Sequence, residues 1–496
     1  MKQFTFLMAL LVAFTVSAQT DIEKVKETVS KSDIQGHIYF LADDLLKGRE
    51  TGTQELKIAA SYLANTFRSY GVKPNPKTGN YYQEVNFNRV SPPEKVSIKI
   101  NDQAISDFAF VFPSPVKTES DAVFLNYGLE EDYANKDVEG KIIIIKAGNE
   151  NAKDARASFG LRSKKQELAK KNGVMAIIEL LNTDDNMWGF IDHNFNEPRL
   201  MVVEKEEEDD NDQVAHLWVL DKDAIMAQKF ATAASLNTQM VIGEKLEEPV
   251  ISYNVIGVVE GTDPKLKDEY IIYSAHYDHV GVGTPDETGD TIYNGARDNA
   301  VGTTTVLSMA ENLAKYPTKR SALFILFTGE EKGLLGSNYY VENPVLPLNQ
   351  MVYCFNSDNG GYNDTSLATI VGLTRTTAEK NITNAASKFG LTAIEDPAKE
   401  QGLFDRSDNV NFAKKGIPAP TFSLGFTAFN GDVTKYYHRP GDEANTLDYD
   451  YLLKFFRAYV LSGRNIANDM ATPTWVSGDK YEAASKTLYK NKAIKN

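Results

Sequence analysis

Tyr270-Ile-Ile-Tyr-Ser-Ala-His276-Tyr-Asp278-His279 opens the stretch on which the fold turns, and Ala322-Leu-Phe-Ile-Leu-Phe327-Thr-Gly-Glu330-Glu331 closes it. Between them lie a Gly-rich loop, the segment Asn294-Gly-Ala-Arg-Asp298-Asn-Ala-Val-Gly302 and a helical run. The two apolar runs are short and rich in aliphatic and aromatic residues, as buried strands are. Polar residues with metal-binding chemistry follow each run directly: His276 and Asp278 after the first, Glu330 and Glu331 after the second. In open α/β sheets, ligand sites lie just outside the carboxyl ends of the strands. The order is therefore strand, site, helix, strand, site.

Working outward, 496 residues predict two or three domains. Hydrophobic content of 42% and charged content of 24% are those of a soluble globular chain. A net charge of -15 disfavours nucleic acid and anionic lipid as partners, because both need basic patches. The single cysteine, Cys354, excludes an intrachain disulfide and reads as a small buried apolar residue. Lys2, the apolar run from Phe4 to Val16 and the small residues Val16-Ser17-Ala18 predict a signal peptide over 1–18. The run is shorter than the roughly 20 residues that span a bilayer. The expectation is a protein exported to the periplasm or the medium, with no membrane segment after signal cleavage.

Helical spacing is expected from Asp33 to Leu46 and from Gln54 to Tyr70, the latter capped by Thr53 and stopped at Gly71. From Tyr81 the pattern shifts to the alternation of strands, as in Val96-Ser-Ile-Lys-Ile. A second unit, with a helix over Ser163 to Lys171 and the strand Val174 to Leu180, is expected at 115–246, including an acidic run at 204–212. The main domain is thus expected at 19–114 and 247–471, ending in an amphipathic helix from Tyr449 to Ala471. A loosely ordered Lys-rich tail is expected over 472–496. The predicted class is α/β, with a mostly parallel central sheet flanked by helices and a smaller β-rich insert, read as a lid or spacer.

Six histidines occur in the chain. His276 and His279 stand at the first site and His438 lies in Tyr436-Tyr437-His438-Arg-Pro-Gly; those at 37, 193 and 216 have no carboxylate pattern around them. Another strand end carries Asn356-Ser-Asp358. His276, Asp298, Glu331, Asp358 and His438 then make a set of two imidazoles and three carboxylates. Mixed N/O donors without thiolate suit Zn²⁺ and, less tightly, Co²⁺ or Mn²⁺. Two divalent ions among three carboxylates keep one net positive charge, so such a centre stays electrophilic.

The order His-x-Asp, Gly-Ala-x-Asp-Asn, Thr-Gly-Glu-Glu, Asn-x-Asp, Tyr-His-x-Pro resembles the M28 family of co-catalytic zinc aminopeptidases. The resemblance covers roughly 33–110 and 250–470, including Gly48-Arg49 and Gly52-Thr53. The insert resembles a protease-associated (PA) domain through Tyr127-Gly128, Asp137-Val-Glu-Gly140-Lys141-Ile and Ala169-Lys-Lys-Asn-Gly173-Val. The resemblance implies two Zn²⁺ per chain, with His276 and Asp358 on one, Glu331 and His438 on the other, and Asp298 bridging. It implies Glu330 as the general base acting on a water shared by the metals, and Asp278 as a hydrogen-bond partner of His276. Tyr437 is implied at the oxyanion. The implied activity is hydrolysis of the amino-terminal bond of peptide substrates.

Two positions depart from the pattern: Ser407-Asp408-Asn409 stands where many relatives carry Ser-Asp-His, and Val301 where Ser is frequent. The alternatives are a glutaminyl cyclase-like enzyme, which holds one zinc, and an inactive binding protein on the same fold. The complete set of five ligands argues against both. No Gly-x-Ser-x-Gly nucleophile elbow is present.

Overall fold

The computed structural model describes residues 19–203 and 213–490. The expected signal peptide, the acidic run at 204–212 and the last six tail residues lie outside the described residues. The chain forms two compact units, one of Met1–Val85 with Ser252–Asn496 and one of Asn86–Ile251.

The first unit is built on strands buried along nearly their whole length. Tyr270–His276 pairs in parallel with Ser321–Phe327 on one side and with Met351–Ser357 on the other. Thr421–Leu424 continues the parallel run beside Met351–Ser357. The sheet is mixed rather than mostly parallel, because Leu367–Val371 runs antiparallel to Thr421–Leu424 and residues 255–259 run antiparallel to Ser321–Phe327. Side chains alternate across it, as the two-residue period of a strand requires. Tyr273, Phe324 and Phe355 pack with Leu63, Leu307 and Tyr459 on one face, while Ile272, Ile325 and Cys354 pack with Tyr340 and Phe412 on the other. Both faces are covered, so the strands read as continuous apolar runs. Cys354 is buried there, and burial pushes its thiol up to about 12.

Gln54–Tyr70 forms the expected helix: the Thr53 hydroxyl accepts from Leu56 N–H, and Gly71 ends the helix at φ 79°. The last long helix, Tyr449–Asn468, stops short of Ala471 because Asp469 is extended and its carbonyl accepts from buried Arg320. The tail departs from expectation up to residue 490. Trp475 is buried and donates to Gly416 O at 3.0 Å, and Arg375 pairs with Asp479 at 2.7 Å while its guanidinium lies over the Phe404 and Trp475 rings. No described helix is long and apolar enough to cross a membrane.

The second unit begins earlier than the sequence pattern placed it. Val96–Ile100 pairs with Asn237–Ile242, and Phe108–Phe112 pairs with Ala215–Leu220, so strands assigned to the main domain close the insert's own eight-stranded sheet. Alternation identifies a strand but not its partner, which explains the misplacement. The helix expected from Ser163 starts at Ala155, capped by Asp154, and a further helix, Asp185–Asn196, is capped by Asp184.

One buried ionic network sits in this unit. Lys165 Nζ meets Glu179 Oε1 at 2.5 Å, and Glu179 Oε2 accepts from His216 Nε2 and Trp218 Nε1, each at 2.9 Å. Burial opposes ionisation of Glu179, but Lys165 and His216 outweigh it and hold the carboxyl below its usual range. On acidification the unfolded chain takes up this proton first. The stabilisation is therefore complete above the ordinary carboxylate range and is lost as pH falls through the folded-state value. Glu179→Gln leaves the Lys165 ammonium buried and unpaired, so unfolding free energy should drop by roughly 3–5 kcal/mol. Urea titration followed by tryptophan fluorescence measures the drop, and the variant's loss of stability between neutral and acidic pH should be the shallower one.

Candidate metal centre

Strand register brings the donors together. The strands Tyr270–His276 and Ser321–Phe327 align so that His276 lies beside Phe327, and the turn that follows carries Glu330 and Glu331. Gly329 makes that turn at φ 69°. Met351–Ser357 ends one residue before Asp358. Asp298 sits in an irregular turn, Ala296–Val301, that leads into the helix Gly302–Lys315. A Cβ at Gly302 would strike Asn299 Oδ1 and Ser357 O, so only glycine lets this turn close against the neighbouring strand end. His438 arrives from a loop and holds φ 50°, a backbone conformation that costs about 1–3 kcal/mol and persists only where the surroundings enforce it.

The five expected ligands converge in two groups that share Asp298. His276 Nε2 lies 3.3 Å from Asp298 Oδ1 and 3.4 Å from Asp358 Oδ1. His438 Nε2 lies 3.2 Å from Asp298 Oδ2 and 3.1 Å from Glu331 Oε2. Each carboxylate oxygen of Asp298 thus faces a different half of the site. His279 belongs to the second group, with donor atoms of His279, Asp298, Glu331 and His438 all within 4.8 Å of one another. Its Nδ1 donates to Glu331 Oε1 at 2.8 Å, and its Nε2 is buried without a partner. Glu330 has a donor atom within 4.8 Å of those of His276 and Glu331.

Side chains behind the donors hold them. His276 Nδ1 donates to the backbone carbonyl of Asp278 at 3.2 Å, which turns Nε2 toward the carboxylates. The Asp278 carboxylate is farther from that nitrogen, at 3.8 Å, and instead accepts from the N–H groups of Glu330 (3.2 Å) and Glu331 (3.3 Å) and from the Thr51 hydroxyl (2.9 Å). Asp278 therefore fixes the Glu330–Glu331 turn more directly than it fixes the imidazole. Asp442 does the same for Asp298, accepting from the N–H groups of Arg297 and Asp298. Buried Arg49 donates to the carbonyls of Leu41, Tyr277, Asn294 and Gly295, tying three loops at the site.

The electrostatics fit divalent cations. Asp298, Glu330, Glu331 and Asp358 crowd one space, and no lysine or arginine pairs with any of them among the described residues. Burial works against charge on His276, yet Glu330, Asp358 and Asp298 draw its pKa well above the imidazole range. His438 is likewise held up, to about 10, by Asp298 and Glu331 against burial. Burial, then Asp358, Glu331 and Asp408, push Glu330 well above the usual carboxylate range, although His276 opposes them. His438 Nε2 makes no hydrogen bond of acceptable geometry despite its two short contacts. The Nε2 atoms of His279 and His438 are thus buried among the carboxylates without a hydrogen-bond partner and point at a common centre. The donor set fits one or two metal ions.

A cavity of about 100 Å³ opens beside the donors, with Leu403, Phe426, Phe429 and Val433 on its apolar side and Ser407, Thr421 and Tyr437 on its polar side. The Tyr437 ring stacks on His438 with centroids 4.0 Å apart. Val301 is fully buried and takes no part in the cavity wall. Asn409, at the other departure, donates to Phe404 O and Ala419 O, so it braces a loop rather than facing a ligand. Sequence reasoning gave no role to His279, Thr51, Asp408 or Asp442. The adjacency of His279 to His276-Tyr-Asp278 was the available signal; the other three come from distant segments.

Residues 254–461 match the model of Peptidase family M28. Those residues carry an M28-type peptidase fold. Over 90% of this chain and 96% of its own, an aminopeptidase from Aneurinibacillus sp. strain AM-1 superposes with a TM-score of 0.59 at 23% identity. A zinc aminopeptidase from Bacillus subtilis covers 89% of this chain and 97% of its own, with a TM-score of 0.51 and 19% identity. In sequence, a probable leucine aminopeptidase 2 of Aspergillus oryzae is 24% identical over 87% of this chain and 85% of its own. Aminopeptidase YwaD of Bacillus subtilis is 30% identical over 49% of this chain and 48% of its own. With the donor cluster in place, the chain is an M28-like metallo-exopeptidase. Because Asp278 holds both Glu330 and Glu331 by their backbones, Asp278→Ala should weaken zinc binding roughly ten- to a hundredfold. Competition titration against a chromogenic chelator reads this directly, and an unchanged affinity would remove Asp278 from that role.

Proposed function

We propose that this chain is an exported two-zinc aminopeptidase that removes the first residue of peptides, with Glu330 as the proton-transfer group. The observation that carries the reading is the placement of Asp298, one oxygen toward His276 and the other toward His438. His276 and Asp358 would hold one zinc, Glu331 and His438 the second, and Asp298 both. The chemistry zinc supplies when bound there is Lewis acidity, which acidifies water and polarises a carbonyl.

Glu330 takes up the proton of the attacking water and hands it to the leaving amine. Its crowded, acidic surroundings raise its affinity for a proton, which suits a group that must accept one. Asp278 keeps Glu330 in place through the backbone. Tyr437, on the cavity wall beside His438, is the donor to the tetrahedral oxyanion. The free α-amino group of a substrate is cationic and suits the carboxylate side of the cavity. The apolar side, with Leu403, Phe426 and Phe429, suits an aliphatic or aromatic first residue. The names of the sequence relatives agree with this reading. The unit Asn86–Ile251, which interrupts the peptidase unit in the chain, is assigned as the PA-like insert. The signal-like residues 1–18 support export to the periplasm or medium.

A one-zinc cyclase has no use for two histidine–carboxylate pairs, and the site carries both His276 with Asp358 and His438 with Glu331. Metal analysis of the zinc-loaded protein should give two ions per chain; one ion would favour the cyclase, and none the inactive binder. Glu330→Gln should keep both ions and lose about 10²–10⁴-fold in turnover. Asp298→Ala should lose metal, and peptides with an acetylated amino terminus should resist cleavage. Full turnover in purified, metal-loaded Glu330→Gln protein would end the role assigned to that residue.

A further inference from the structure

The unit Asn86–Ile251 carries a groove of about 760 Å³ that plays no part in the proposed chemistry. We propose that it binds an acidic peptide segment bearing aromatic or aliphatic side chains. This proposal is independent of the catalytic reading.

The groove is apolar in a way that solvent exposure does not favour. Phe159, Met187, Phe190 and Met201 line it and remain 46%, 42%, 64% and 45% exposed. Contiguous exposed apolar surface of this kind marks an interaction site. Its volume lies in the ~300–1,000 Å³ range of built ligand sites. The aromatic wall is held in place before any ligand arrives. Trp218 is buried, donates its indole N–H to Glu179 at 2.9 Å, and packs on Phe195 with centroids 5.1 Å apart. Phe159 stands 6.4 Å from Trp218, with the Arg162 guanidinium 3.8 Å above its ring. Fixed aromatic anchors lose little conformational entropy on binding.

Charge selects the partner. The chain has a net charge of -15, yet no described carboxylate lines the groove, while Arg156, Arg162, Arg199 and Lys245 do. Lys245 pairs with Glu247, but no carboxylate pairs with any of the three arginines among the described residues. The arginines are also spread out. Arg156 and Arg162 are six residues apart on one helix, about 9 Å along its axis, and Arg199 comes from the strand Arg199–Val202. Separated cations over an apolar floor match several carboxylates alternating with apolar side chains. The single headgroup of a fatty acid would leave most of them unmatched. Strand addition is not the mode of binding at the adjacent sheet edge, because the Asn196 side chain caps the edge strand by accepting from Phe110 N–H and donating to Phe108 O.

The test uses the full mature chain and the probe N-acetyl-Glu-Phe-Asp-Leu-Glu-amide, whose blocked amino terminus keeps it from being a substrate. Calorimetry and tryptophan emission should show saturable binding of one peptide per chain, with Trp218 reporting contact. The neutral counterpart, with Gln and Asn for Glu and Asp, should bind at least about tenfold more weakly, as should the probe to the double variant Arg156→Glu/Arg199→Glu. Phe190→Ser, exposed and safe for folding, should weaken the probe about threefold or more. All these proteins should cleave a small chromogenic amino-acid amide at the wild-type rate. Equal binding of the neutral peptide, or full binding by both variants, would overturn the proposal. So would saturable binding of dodecanoate in the absence of peptide binding. Probe binding only after 204–212 is replaced by a Gly-Ser linker would also overturn it, by making the chain's own acidic run the occupant.

Discussion

Four carboxylates held within a few ångströms of one another are the constraint around which the peptidase unit is arranged. Like charges at such distances repel strongly, and burial strengthens the repulsion. The surrounding structure answers with geometry rather than neutralisation. Glu330 and Glu331 are fixed by backbone N–H groups given to Asp278, and Asp298 by N–H groups given to Asp442. No lysine or arginine reaches in among the described residues to quench the charge. The positive charge that does enter comes from His276 and His438, whose pKa values are drawn upward by their carboxylate neighbours. A site built this way keeps its affinity for an external cation, which is what metal chemistry needs.

The second unit treats charge in the opposite manner. Its fully buried Glu179 is matched by Lys165, His216 and Trp218, so that carboxylate spends its charge inside the fold. Among the described residues no carboxylate pairs with its groove arginines Arg156, Arg162 and Arg199, and two of them lie over the Phe159 and Phe195 rings. Buried, satisfied charge rigidifies a wall, while exposed, unsatisfied charge beside apolar surface invites a partner. The two units thus carry complementary preferences, one for cations and one for anions.

Much of the centre was legible because the donors sit at strand ends, where a local apolar run announces the position of the residue that follows it. His276, Glu330, Glu331 and Asp358 are of this kind. His438 was visible only through its motif, since its loop has no strand to mark it. Asp278 illustrates the limit: two residues beyond His276 in sequence, it was expected to bond the imidazole, but its carboxylate turns to the neighbouring Glu330–Glu331 turn. Thr51, Asp408 and Asp442 were illegible because each approaches from a separate segment, and nothing local records such an approach.

The sequence by itself determined the α/β alternation, the strand-end donors, the capped helix Gln54–Tyr70 and the fully apolar central strands, all of which follow from patterns a few residues long. Tertiary structure alone decided which strands pair: 96–100 and 108–112 joined the insert's sheet, and the peptidase sheet became mixed. It alone placed His279 among the donors and gathered the arginines of the groove from a helix and a strand. The physical reason is common to these cases. Periodicity fixes which face of an element is buried, whereas the partner on that face is selected by packing between segments far apart in the chain.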